Sequence, residues 1–299
     1  MKWTIENIPN QKGKHVLITG ANSGIGFEAA KVLAMKGASV TLAVRDLNKG
    51  QQAVEEIQKV DPNASLSLIK LDLSDLSSVN QCVEQLLEEG KAIDTLINNA
   101  GVMQFDKRLT SKQGYELMWA TNHLGHFALT IGLLPLLEQG TQPRVVTLSS
   151  LVAKFKSADI YYDDLNFERG YDKMAAYAQS KLANVMFAVE LQRRLKKLKS
   201  KVISVAAHPG YTATNLQQHM GFSGVVMNAL FAQTVDMGVL PTLRAATDEQ
   251  LVGGEYIGPM KMFNYRGHPD LNTLPKAATL PTALNRLWKT TEEIVDMSL

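Results

Sequence analysis

The chain has 299 residues, 45% of them hydrophobic and 20% charged, which is enough apolar material for a sizeable globular core. Its formal net charge of +2 provides no basic field for nucleic acid. The single cysteine, Cys82, excludes an internal disulfide and a cysteine-rich metal site, and its helical surroundings predict a small buried apolar role.

Residues 1–14 carry Lys2, Glu6, Lys12 and Lys14 and no apolar run, so no signal peptide is expected there. No stretch reaches the roughly 20 apolar residues that span a bilayer, and the expectation is a soluble cytoplasmic protein without an integral membrane segment. His15–Thr19 is a short apolar run ending at Gly20 and reads as a buried strand. Gly24-Ile25-Gly26 then opens a helical pattern with Ala29, Ala30, Leu33 and Ala34 on one side, and Val40–Val44 is a second strand. Strand, glycine turn, helix and strand make a crossover unit, which implies a parallel sheet. The alternation continues with a helix over Leu47–Val60, a strand over Leu66–Leu71, and a helix over Ser77–Glu88 with Gly90 at its end. A strand over Ile93–Ile97 follows, then a long helical stretch over Ser111–Leu137, broken near Pro135. Val145–Leu148 is a strand, Ala175–Lys197 a helix, and Val202–Ala206 a strand. Beyond Pro209-Gly210 the pattern loosens, with a helix expected over Thr234–Thr247, a seventh strand near Glu255–Ile257 and a terminal helix over Pro281–Val295. The regular alternation predicts a single α/β domain over residues 1–299, doubly wound in the Rossmann manner around a seven-stranded, mostly parallel sheet.

The turn Thr19-Gly20-Ala21-Asn22-Ser23-Gly24-Ile25-Gly26 lies between a strand and a helix. Glycines there let the backbone approach a pyrophosphate, and the helix N-terminus offers free N–H groups to an anion. The competing reading is a plain strand-to-helix turn. Farther along, Tyr177 and Lys181 stand four residues apart on a helical segment, so both heads reach one region of space. A cation beside a phenol favours the phenolate, which would lower the Tyr pKa from its ordinary value of about 10.

The spacing Gly-x-x-x-Gly-x-Gly after Thr19 resembles the cofactor turn of the short-chain dehydrogenase/reductase family. Asn98-Asn99-Ala100-Gly101, Asn122, Ser149-Ser150, Tyr177 with Lys181, and Pro209-Gly210 follow in the family's order, and the resemblance covers about Lys14 to Gly210. Asn122-His123-Leu124-Gly125-His126-Phe127 and the late Gly-Glu-Tyr-Ile-Gly-Pro resemble the retinol-dehydrogenase-like and protochlorophyllide-reductase-like branch. Retinol dehydrogenases commonly carry an apolar N-terminal anchor, which residues 1–14 do not resemble.

The resemblance implies a nicotinamide cofactor. It would be held by Gly20, Asn22, Ser23, Gly24, Ile25 and Gly26 in the turn, and by Asn99, Ala100 and Gly101 after the fourth strand. Tyr177 and Lys181 would join from the long helix, and Pro209, Gly210 and Thr212 from the sixth strand's end. Asp72-Leu73 resembles the family's adenine-contacting pair, although Asp72 also reads as a turn residue before Ser74-Asp75. Arg45 and Asp46 stand about 20 residues past the glycines, where an acid favours NAD and an arginine favours NADP. In the family the NAD acid occupies the strand's last residue, here Val44, which cannot bond a ribose hydroxyl. Arg45 can pair with a phosphate, and Asp46 can cap the next helix, so NADP(H) is expected.

By the same resemblance, Tyr177 is the catalytic proton donor or acceptor and Lys181 its cation. Ser150 bonds the substrate oxygen, and Asn122 supports a water linking Lys181 to solvent. Ser149 and Ser150 face opposite ways on an extended segment, and Ser150 matches the family's serine. His123, His126 and His208 lack the carboxylate or thiolate neighbours of a metal site, so no metal is expected. The expected reaction interconverts a carbonyl and an alcohol on a lipophilic small molecule. The apolar segment over about 211–240, with Phe222, Val225, Val226, Met227, Leu230 and Phe231, is the expected substrate lid. Two other readings stay open: a cofactor-binding regulatory or scaffold protein without turnover, and a carbon–carbon double-bond reductase on the same fold. The Ala183, Met186, Phe187 and Leu191 face reads as core, and the family's use of this helix leaves a homodimer open. Arg193-Arg194 and the following lysines fit a solvated helix C-terminus.

Overall fold

Strands that are apolar on both faces belong inside a parallel sheet covered by helices on either side, and the strands of this chain obey that rule. A computed structural model of the chain describes residues 2–103, 105–212 and 233–299. β1 (His15–Thr19), β4 (Thr95–Asn98) and β5 (Arg144–Leu148) are buried at every residue. Around them lie β2 (Ser39–Val44), β3 (Leu66–Lys70), β6 (Ile203–Ala207), β7 (Tyr256–Lys261) and β8 (Arg266–Leu271), in the order β3-β2-β1-β4-β5-β6-β7-β8. The first seven run parallel, and β8 pairs antiparallel with β7. The edge strands β3 and β8 are only partly buried, in keeping with their mixed polar sequences.

Alternate residues of one strand feed different helical layers. Val16 and Ile18 pack with α1 (Gly24–Met35), α2 (Leu47–Val60) and α6 (Leu240–Thr247). Leu17 packs with α3 (Leu76–Glu89), α4 (Gly125–Leu137) and α5 (Lys173–Lys197), and Trp288 of α7 (Pro281–Val295) joins that layer. Ala183, Met186, Phe187 and Leu191 are core residues as expected. The outer side of α5 is covered by α7, and Arg194 lies 4.4 Å from the Trp288 ring. Arg193 and Arg194 both bind the buried Glu190 carboxylate, at 2.7 and 2.9 Å, so this part of the basic run is an anchored cluster. No helix among the described residues is long and apolar enough to cross a membrane.

Three local expectations change. The helical stretch expected from Ser111 begins only at Leu117, because Gly114, at φ +85°, reverses the chain and Thr110 bridges Glu116. Pro135 lies in the last turn of α4, which ends at Leu137, so the ring interrupts nothing beyond it. The eighth strand was not foreseen. Pro259 and Pro269 face each other in its register, and neither β7 nor β8 has an alternating pattern that announces a hairpin. Of the expected lid, residues 213–232 lie outside the described residues. Thr212 and Gln233 on either side pair as a parallel bridge, and a turn of helix follows at Val235–Gly238.

Candidate active site

The strand order reverses between β1 and β4, and in such sheets the crevice beyond the carboxyl ends at that point receives ligands. The glycine turn leaves β1 there. Gly20 and Gly24 have left-handed backbones, φ +65° and +57°, which other residues adopt only with strain. A Cβ on Gly26 would stand 2.5 Å from the Gly20 carbonyl oxygen and 2.4 Å from Asn99 Nδ2, so the turn closes on itself only with glycine. Ser23 precedes α1 without a side-chain cap bond, leaving the first-turn N–H groups directed at the crevice.

A threonine ties this turn to the end of β4. Thr19 Oγ1 accepts from the Asn99 and Ala100 N–H groups, both at 2.9 Å, and lies 2.8 Å from His126 Nε2. His126 Nδ1 lies 3.0 Å from the Asn122 carbonyl oxygen, which can only accept, so Nδ1 carries the proton. Burial lowers the His126 pKa to about 4, so the ring is neutral and its Nε2 accepts from the Thr19 hydroxyl. Asn99 Nδ2 donates to the Thr19 carbonyl at 2.8 Å. The three motifs that the sequence separates are thus one hydrogen-bonded unit.

Asn122 lies in a π turn, Ala120–Leu124, inserted before α4. The helix is distorted there, and Asn122 is fully buried. Its Oδ1 accepts from the Val102 N–H at 2.8 Å, and its Nδ2 donates to the Val102 carbonyl and the Ser180 hydroxyl, each at 3.0 Å. A Cβ on Gly101 would stand 3.2 Å from Lys181 Nζ and 3.3 Å from Asn122 Oδ1, so the loop after β4 rests directly on these two groups.

At the end of β5 the two serines part as the strand geometry requires. Ser149 is buried and donates to the Lys181 carbonyl at 2.7 Å, which fixes α5 against the sheet. Ser150 faces the crevice beside Tyr177 and caps the short turn Leu151–Lys154 by accepting from the Val152 N–H. Tyr177 and Lys181 share one face of α5, with Nζ 5.9 Å from the phenol ring centre and 3.4 Å from the Leu148 carbonyl. Met118, Phe167 and Ala176 pack with Tyr177, and Val102, Met103, Phe105 and Val152 add partly exposed apolar surface beside it.

The expected lowering of the Tyr177 pKa is not found. Burial pushes it up, and the neighbouring Ser150 hydroxyl offsets part of that. Burial also lowers Lys181 to about 8. At neutral pH the site therefore holds a protonated phenol beside a cation close to its own titration point.

On the β6 side, Gly210 has φ +67°, and a Cβ there would meet the Tyr265 carbonyl oxygen at 2.4 Å. His208 accepts from the Gly210 N–H at 3.2 Å and bonds Asn272 at 3.1 Å, holding the Pro209-Gly210 loop to the C-terminal hairpin. Thr212 donates to the Pro209 carbonyl at 2.8 Å. His123 lies 3.0 Å from the Thr291 hydroxyl. Each of the three histidines thus makes a structural hydrogen bond, while His123 Nδ1 is buried without a partner among the described residues.

On the β2 side, Asp46 Oδ1 accepts from the Asn48 and Lys49 N–H groups at 3.0 and 3.2 Å, so it is spent on the α2 cap. Arg45 is exposed and pairs with no carboxylate among the described residues, while its carbonyl accepts from Lys70. Asp72 Oδ1 takes the Ser74 N–H at 3.0 Å and the Ser74 hydroxyl at 2.6 Å, which is the turn role. Leu73 is buried, with its carbonyl against Gly125.

Sequence reasoning missed Thr19 and His126 as the link between motifs. The available signal was the position of His126 one turn after Asn122, where a side chain can bond back to a carbonyl of its own helix.

The sequence matches the family model described as short chain dehydrogenase over residues 14–162. It is 38% identical to retinol dehydrogenase 13 of Homo sapiens over 260 residues, covering 83% of this chain and 77% of that protein. A crystal structure of an uncharacterized protein from Mycobacterium Paratuberculosis is 36% identical and matches with a TM-score of 0.83, covering 100% of this chain and 99% of that one. A short chain dehydrogenase from Burkholderia cenocepacia J2315, in complex with NADP, matches with a TM-score of 0.66 over 83% of this chain and 96% of that one; at 21% identity this is a likeness of fold.

Proposed function

The chain belongs to the short-chain dehydrogenase/reductase family, in its retinol-dehydrogenase-like branch, and from that premise we propose that it is an NADP(H)-dependent enzyme interconverting a lipophilic carbonyl and its alcohol. The observation that carries the reading is the convergence of Ser150, Tyr177, Lys181 and Asn122 on one crevice beside the glycine turn.

The residues fit a dinucleotide. Gly20, Gly24 and Gly26 leave a cradle that a Cβ would fill, and the first turn of α1 offers N–H groups to a pyrophosphate. Arg45, exposed and without a carboxylate partner among the described residues, would hold the ribose phosphate of NADP(H), since Asp46 is committed to the α2 cap. When bound, the nicotinamide supplies hydride to a carbonyl carbon or takes it from an alcohol.

The protein's own part is the proton. Tyr177, held protonated by burial, donates to the developing alkoxide in reduction and recovers the proton from Lys181 and water. Ser150 donates its hydroxyl hydrogen to the same substrate oxygen. Lys181, with a pKa near 8, stays mostly charged at neutral pH and yields a proton readily. Asn122 fixes the π turn and keeps its amide beside the lysine. The apolar residues around Tyr177 favour a lipophilic carbonyl, in keeping with relatives named for retinol.

Oxidation of NADPH and of NADH across aldehydes, ketones and retinoids tests the reading. We expect turnover with NADPH preferred, and Arg45→Ala should lose at least about tenfold of that preference. An unchanged preference in the variant, or a wild type that prefers NADH, would remove the NADP(H) assignment.

A further inference from the structure

The turn of the β7–β8 hairpin is built at a cost that packing does not explain. Met262, Phe263 and Asn264 are all left-handed, at φ 50°, 55° and 71°, a region that residues with a Cβ rarely adopt. The result is a side chain pushed outward. Phe263 is 92% exposed, the highest value of any large apolar residue described, and Met260 and Met262 beside it are 52% and 46% exposed.

The surroundings are basic. Lys261 and Arg266 face each other across the hairpin, and neither pairs with a carboxylate among the described residues. A groove of about 300 Å³ runs beneath them, lined by Lys2, Lys261, Arg266 and His268 with Gln233 and Met237, and no carboxylate lines it. Asp270, farther along β8, is held by Arg244 at 3.0 Å.

The hairpin also stands at the mouth of the crevice. Lys154, on the turn that follows Ser150, donates to Asn264 Oδ1 at 3.0 Å. Tyr211 donates to the Tyr265 carbonyl at 2.8 Å, and Gly267 donates to Gln233 Oε1 at 3.0 Å.

We propose that the tip of this hairpin docks the protein on an anionic lipid bilayer, with Phe263 entering the headgroup boundary and Lys261, Arg266 and Lys2 on the phosphates. A protruding aromatic, flanked by two half-exposed methionines and ringed by bases, matches a soft anionic surface better than a packed protein interface. The docking stands apart from the proposed reaction. If that reaction acts on a lipophilic carbonyl, docking brings the crevice to the phase where such molecules dissolve.

The test is co-sedimentation of the full chain with vesicles of phosphatidylcholine alone and of phosphatidylcholine mixed with phosphatidylserine. The wild type should sediment with the mixed vesicles, far less with the neutral ones, and less at high salt. Lys261→Ala with Arg266→Ala should weaken binding about 25-fold, at about fivefold for each charge. Phe263→Ser should weaken it at least about tenfold. Unchanged melting and NADPH affinity in the variants would show that the fold and cofactor site are intact, and neither readout requires turnover. Three results would overturn the proposal: a wild type that stays in solution with mixed vesicles, variants that sediment like the wild type, or a dimer lost on Phe263→Ser without lipid affinity.

Discussion

At the scale of single residues, burial rather than charge sets the chemistry of the site. Tyr177 was expected to be acidified by Lys181, yet its pKa is raised, because the phenolate would have to form among Met118, Phe167 and Ala176. A phenol that keeps its proton is the better donor for reduction. Lys181 gives the complementary prediction. Its folded pKa of about 8 lies below the ordinary 10.5, so the folded state binds that proton more weakly than the unfolded state. The cost is fully present below pH 8 and is relieved as pH rises from 8 to 10.5. Lys181→Met should therefore be more stable than wild type at neutral pH, by a few kcal/mol at about 1.4 kcal/mol per pKa unit, with the gap closing towards the alkaline end. Urea unfolding of both proteins across this range reads it, and a gap that stays constant with pH would contradict the assignment. In the same window, carbonyl reduction by the wild type should fall as pH rises past 8, because the cation beside Tyr177 is lost.

At the scale of elements, the π turn before α4 and the glycine turn after β1 act as a pair, joined through Thr19 and His126. The sequence made the glycine turn legible because its chemistry is local: glycines at fixed spacing, between a strand and a helix. It could not reveal that His126 reaches back to the Asn122 carbonyl and onward to Thr19, because Thr19 and His126 are 107 residues apart in the chain. The C-terminal hairpin was illegible for a different reason: its prolines and charges suppress the alternation by which a strand is recognised. Gly125 tests the coupling of elements. A Cβ there would stand 2.3 Å from the Leu73 carbonyl oxygen, a contact of backbone with backbone that no side-chain motion relieves. Gly125→Ala should cost about 1–3 kcal/mol of stability and should lower kcat by moving Asn122. Thermal melting and initial rates measure the two effects, and an alanine variant with wild-type stability would show that α4 can shift freely.

At the scale of the whole molecule, the alternation of strands and helices was sufficient to predict a doubly wound parallel sheet, because parallel strands buried on both faces must read as short apolar runs. The crevice followed from the same reasoning, since Gly20, Asn99 and Ser150 all stand at carboxyl ends of strands. Less legible was how the chain closes after Gly210, where the hairpin, α6 and α7 are positioned by packing between distant segments rather than by local pattern. The cover that α7 places over α5 belongs to this group. The central claim, that Tyr177 supplies the proton for carbonyl reduction, is most directly tested by NADPH oxidation with the best carbonyl of the panel, compared between wild type and Tyr177→Phe. The variant should bind NADPH within about twofold of wild type and lose about a thousandfold in kcat/KM, the scale on which a positioned acid acts. A Tyr177→Phe protein that oxidises NADPH at the wild-type rate would contradict it.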